Sequence, residues 1–138
     1  MGKEPCCMKP MTREWIEKAE GDYQAAQDLW ETGHPVYDAI CFHAQQCAEK
    51  YLKAWLVEQD EESPKSHDLE ALAKLCMPSL PEITRVMDSL RFLTSFAVEI
   101  RYPGAVWQRG DAEKCWEAAL RTRGVVRAKL DQERPSDP

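Results

Sequence analysis

The sequence predicts an all-α fold, an antiparallel up-and-down bundle of four to five helices. Three observations carry that prediction. Apolar residues recur at helical spacing along nearly the whole chain, strand-like alternation never runs beyond a few residues, and proline and glycine cluster between the periodic segments. The 138 residues suit a single domain, since domains average roughly 100–200 residues. Short connections make successive helices antiparallel neighbours. The expected organisation is a flexible head over 1–11, one bundle over 12–131 and a flexible tail over 132–138.

The first helix is expected over 12–32, with Thr12 as N-cap, an apolar stripe of Trp15, Ile16, Ala19, Tyr23, Ala26 and Trp30, and a stop at Gly33 and Pro35. The second, over 36–60, has the widest apolar face, made by Ile40, Ala44, Cys47, Tyr51 and Trp55. A short third helix over 67–77 takes Ser66 as cap, with Asp68 complementing its N-terminal dipole, and Pro78 and Pro81 end it. The fourth, over 82–99, turns Ile83, Val86, Met87, Leu90, Leu93 and Ala97 inward, and Pro103 and Gly104 turn the chain after it. The last, over 111–131, starts at Asp111 as cap and buries Cys115, Trp116, Ala119, Val126 and Leu130.

Composition narrows the function. Hydrophobic residues make up 43% and charged ones 30%, an ordinary globular balance. Net charge is −6, so the chain as a whole does not attract nucleic acid. The four basic residues between Arg121 and Lys129 are most simply a solvated helix face. No apolar run approaches the ~20 residues that cross a bilayer, and MGKEPCCMKP lacks the apolar core of a secretory signal, so the cytoplasm is the expected location. Six cysteines show no C-x-x-C, and the three histidines show no ligand spacing. Free, mostly buried thiols are therefore expected, with no metal and no cofactor. There is no P-loop, G-x-G-x-x-G, G-x-S-x-G or H-E-x-x-H.

The second helix carries more than its apolar face. His43, Gln46, Lys50 and Lys53 recur three or four apart and share one side, while Phe42 and Leu56 are expected on the side away from the core. Apolar residues on two sides call for cover on both, which a second copy of the chain would supply.

A family resemblance rests on four stretches. These are W-x3-A-x2-D-Y-x2-A from Trp15 to Ala26, FHAQQCAEKYLKAWL at 42–56, PKSHDLEAL at 64–72 and RYPG at 101–104. Together they resemble the HEPN domain (higher eukaryotes and prokaryotes nucleotide-binding) over about 12–130. The resemblance implies a helical bundle that dimerises and acts beside a nucleotidyltransferase-type partner in a toxin–antitoxin-like module, with a nucleotide or RNA as ligand. Some members are ribonucleases, similar to one another in an arginine followed a few residues later by a histidine. Here Arg101 is followed by Tyr102, Pro103, Gly104, Ala105, Val106 and Trp107, and no histidine comes after it.

Candidate site residues follow. Arg101 either forks onto a phosphate or pairs with Asp22 or Glu99, and Tyr102 either stacks on a base or belongs to the core. Lys50 and Gln46 are candidate phosphate contacts on the same side as His43, whose imidazole is the side chain suited to acid–base work near neutral pH. His67, at a helix start, is a candidate replacement for the absent histidine. Asp22 and Asp68 are expected as structural support. The leading expectation is a nucleotide- or RNA-phosphate-binding protein, with a ribonuclease of displaced acid–base chemistry or a purely structural interaction partner as alternatives.

Overall fold

The computed structural model describes residues 8–99, 103–104 and 106–133. Among them, five α-helices run in the order α1 (Pro10–Glu31), α2 (Tyr37–Glu58), α3 (Leu69–Cys76), α4 (Met87–Glu99) and α5 (Arg109–Glu133), with a 3-10 helix over Pro81–Val86 leading into α4. The described residues form no strand. The all-α bundle is as the periodicity predicts, and α2 is its centre, packed by α1, α5, α3 and α4.

The α2 stripe sits where expected: Ile40, Ala44, Cys47, Tyr51 and Trp55 are all buried. Trp55 also donates its indole N–H to Ser79 Oγ at 2.9 Å, satisfying the polar atom of the largest core side chain. From α1 the core takes Ala19 and Ala26, small residues that let the two long helices approach closely. At the C-terminus of α2, Asp60 in the left-handed region (φ 60°) turns the chain, while Glu61 N–H reaches back to Leu56 O and Asp60 N–H to Val57 O.

Several boundaries differ from expectation, each for a physical reason. Thr12 is not a cap. The helix starts at Pro10, whose fixed φ suits the first helical position, and Thr12 is buried with its hydroxyl donating to Glu58 Oε1 at 2.9 Å. Asp68, not Ser66, caps α3: its Oδ1 accepts from Glu70 N–H and Ala71 N–H at 3.0 and 3.2 Å, while Ser66 Oγ accepts from Asp68 N–H. Asp68→Ala should cost about 1 kcal/mol in chemical denaturation, the usual worth of such a cap.

Asp111 lies inside α5 rather than at its cap, and its Oδ2 accepts from Gln108 N–H at 3.0 Å, as the acidic member of a capping box does. The expected fourth helix is split because Pro81 opens a tight 3-10 segment, in which Thr84 Oγ1 donates to Pro81 O at 2.8 Å. Leu56 does not face outward. It is fully buried, because α2 is covered from several sides by its own bundle, whereas Phe42 stays 49% exposed.

Candidate functional site

Antiparallel packing sets which residues meet across α1 and α2. Thr12 meets Glu58, Trp15 meets Lys53, and Asp22 meets both His43 and Lys50, so positions that climb α1 descend α2. Met11, Trp15, Lys18 and Asp22 recur four, three and four apart and form one stripe of α1. It faces the edge of α2 that carries His43, Gln46, Lys50 and Lys53.

Asp22 is the hub of this edge. Its Oδ1 lies 2.8 Å from His43 Nδ1, and its Oδ2 accepts from Lys50 Nζ at 2.5 Å. The carboxylate is 11% exposed, Lys50 22% and His43 30%, so the cluster is sheltered but reachable. A carboxylate acceptor places the Nδ1 proton and turns Nε2 away from it, the orientation an imidazole needs to exchange a proton or bind an anion. Gln46, between the two, donates to Gln45 Oε1 at 2.8 Å.

A second carboxylate organises the other side of the strip. Glu49, 5% exposed, accepts from Lys53 Nζ at 3.0 Å and from Gln45 Nε2 at 3.3 Å, and lies 2.9 Å from His67 Nδ1. His67 reaches it from the segment before α3, which is anchored by Leu69 N–H donating to Thr94 Oγ1 and by Gln45 donating to His67 O. Its ring is 68% exposed. His43, on α2 itself, thus pairs toward α1, while His67 reaches α2 from the segment before α3. Each carboxylate faces one ammonium group, so neither is a bare buried charge.

Beside Lys50 lies a cavity of about 320 Å³ lined by Met11, Glu14, Trp15, Lys18 and Lys50. Trp15 is half-buried, with Lys53 Nζ 5.5 Å from its ring centroid on the cation–π side. Lys18 has no ion-pair partner among the described residues. The cavity therefore offers an indole, one free ammonium group and one shared with Asp22, against the single carboxylate of Glu14 on its wall, a balance that favours an aromatic anion.

The structure brings Asp22, His43, Gln46 and Lys50 together, and ties His67 to the same helix through Glu49. Asp68 does not face the strip; it caps α3. Arg101 and Tyr102 lie outside the described residues, as do the side chains of Ala97 and Glu99. Glu49, Gln45 and Lys18 were not among the expected site residues. The signal for Lys18 was present, since it falls on the 11–15–18–22 stripe of α1, but a sequence does not say which stripe meets which.

The basic run of α5 makes contacts within the bundle, while Arg121 and Arg127 also stay exposed to solvent. Arg123 holds Glu20 through two bonds of 2.7 and 2.9 Å and lies 4.2 Å from the Tyr23 ring centroid. Tyr51 OH donates to the same Glu20 and accepts from Arg127 at 3.2 Å. Arg121 donates to Arg85 O, and Lys129 pairs with Glu82. Arg123 holds the Glu20 carboxyl below its ordinary range, and burial with the Glu20 bond pushes the Tyr51 phenol up to about 12.

A profile of the HEPN domain family matches residues 12–129. The chain belongs to the HEPN family. The fold is shared with an archaeal HEPN homologue, ST0689, at 28% identity and a TM-score of 0.69, over 86% of this chain and 97% of that one. It is similar also to TT1696 from Thermus thermophilus, at 25% identity and a TM-score of 0.71, over 88% of this chain and 99% of that one. No curated protein matches it significantly. Among the described residues of this HEPN domain, Cys41, Cys47, Cys76 and Cys115 are free and buried, and no group of three or more His, Cys, Asp and Glu is placed to hold a metal. No described helix is long and apolar enough to cross a membrane.

Proposed function

We propose that this HEPN domain binds a phosphate-bearing ligand, a nucleotide or RNA, along the α1–α2 edge. It does so as a cytoplasmic homodimer working with a nucleotidyltransferase-type partner in a toxin–antitoxin-like module. One observation carries the binding reading: the cavity that puts Trp15 beside Lys18 and Lys50, next to the His43–Asp22 pair. The indole offers a stacking face and the two ammonium groups a phosphate seat, while His43 Nε2 and Gln46 lie further along the same edge. A net charge of −6 opposes any polyanion at long range, so binding has to rest on this local cluster. The half-exposed Phe42, on the outer face of α2, supports pairing with a second copy.

The test is thermal melting with inorganic phosphate, AMP and a short RNA, on the wild type and on Lys18→Ala. A ligand at 100 times its Kd should add about 2.7 kcal/mol of stability. Lys18→Ala should leave the unliganded melting temperature unchanged, because Lys18 pairs with nothing described, yet weaken binding by roughly 3–10-fold. No shift with any of the three ligands would favour a purely structural partner.

The His43–Asp22 pair also supports the second reading, a ribonuclease with displaced acid–base residues, because the carboxylate orients the imidazole as a general base requires. Mixed RNA cleaved by the wild type, and by neither His43→Ala nor Arg101→Ala, would put that reading first.

A further inference from the structure

On the opposite flank of α1, across the Ala19/Ala26 core stripe, a groove of about 550 Å³ runs between α1 and α5. Trp30, Trp116 and Leu120 form its apolar floor, and Glu31, Glu113, Glu117 and Arg109 its exposed rim. Three carboxylates against one guanidinium make the rim anionic. Among the described residues none of the three carboxylates has an ion-pair partner. Nothing in the phosphate-site reading uses this face.

The aromatic rings here already attract guanidinium groups from within the chain. Arg109 lies 5.3 Å from the Trp30 ring centroid, and Arg123 covers Tyr23, which stacks on Trp116 at 5.1 Å. The remaining surface of Trp116 lines the groove between Glu113 and Glu117, one helical turn apart on α5, with Glu31 facing them from α1. That is the donor set for a cation with an apolar stem: an indole for the stem and the charged head, and carboxylates to either side.

We infer that this groove docks a basic segment of a partner protein, laying one arginine or lysine side chain across Trp116 with its head among Glu31, Glu113 and Glu117. The open, rim-exposed shape suits a side chain presented by another surface, whereas a free metabolite is ordinarily held in an enclosed cavity. The protein's own negative charge speeds the approach of such a partner.

The experiment titrates the full chain with a capped two-arginine peptide, the same peptide with citrulline at both positions, and agmatine. Each is measured against the wild type, a Glu113→Gln/Glu117→Gln variant, and a Glu61→Gln/Glu62→Gln variant matched in net charge. The altered glutamates are exposed, so both variants should fold and melt as the wild type does. The arginine peptide should bind the wild type and the Glu61/Glu62 variant alike, and lose about tenfold in affinity on the Glu113/Glu117 variant. The citrulline peptide should bind weakly throughout. An equal loss in both variants would reduce the effect to bulk charge and overturn the inference. So would equal binding of the citrulline peptide, agmatine binding as tightly as the peptide, or no binding of the arginine peptide at all.

Discussion

Asp22→Ala should cost about 2 kcal/mol in chemical denaturation, a larger loss than any cap or surface pair in the bundle provides. The change strips the only described acceptor from Lys50 Nζ and from His43 Nδ1 at once, leaving a sheltered ammonium group beside a new cavity. Breaking one side of a fully buried pair ordinarily costs ~3–5 kcal/mol, and the partial exposure of Lys50 and His43 brings the figure down. A double-mutant cycle separates charge from packing. Lys50→Met in the Asp22→Ala background should recover about 1 kcal/mol, because two apolar groups replace an unpaired charge. A loss below ~0.5 kcal/mol for Asp22→Ala would show that the hub is solvated and holds nothing in place.

The same residue tests the phosphate reading in the opposite direction. Asp22→Asn keeps the shape and a hydrogen-bond acceptor for His43, but removes the negative charge that shares Lys50 with the cavity. Phosphate or AMP should then bind more tightly, by roughly fivefold for one charge at partly screened distance. Weaker binding to Asp22→Asn would mean that Asp22 supports the ligand through His43 rather than competing with it for Lys50. Removing the carboxylate at this one position thus lowers stability in Asp22→Ala and raises affinity in Asp22→Asn, a pattern that a residue serving only to pack the bundle does not produce.

How much of this was legible before folding depends on how local the cause is. The α2 stripe from Ile40 to Trp55 follows from residue type and a period of 3.6, and the structure buries all of it. Caps were harder. Thr12 and Asp111 are of the right residue type, but Pro10 and Gln108 move each helix start upstream, and Thr12 is recruited by Glu58, a residue 46 positions away. Leu56 was misplaced because one helix says nothing about how many neighbours surround it. The edge carrying His43, Gln46 and Lys50 was readable as a line, but its meaning was not. Asp22 sits 21 residues from His43 and His67 18 residues from Glu49, so both pairs depend on helix register, which local pattern does not encode. The HEPN resemblance supplied the architecture, and the cavity at Trp15 and Lys18 came only from the packing of α1 on α2.

Alkaline conditions should unfold the protein well before they harm its surface chemistry, and the buried thiols are the reason. Burial pushes Cys47 up to about 12, with Glu20 and Asp22 adding to it, and burial pushes Cys76 to about 12 as well. Cys115 is raised strongly by its bond to Cys41 and by its own burial. A free thiol titrates at about 8.5. The folded values lie above the unfolded ones, so this contribution is fully present below about pH 8 and is lost as pH rises toward the folded values. Each pH unit past the free-thiol value takes about 1.4 kcal/mol per thiol, so by about pH 10 three thiols remove roughly 6 kcal/mol. Tyr51, raised from about 10 to about 12, continues the loss at higher pH with the same sign. Small domains have only ~5–15 kcal/mol to lose, and the melting temperature in reductant should fall by about 15 °C or more between pH 7 and about pH 10. Cys76→Ala should flatten the slope by close to a third above about pH 9, whatever its cost at neutral pH, because the thiol that ionises on unfolding is gone. A melting temperature level from pH 7 to about pH 10 would show that these sulfurs are not sealed in the core, and the tight α2–α5 packing around Cys115 would have to be redrawn.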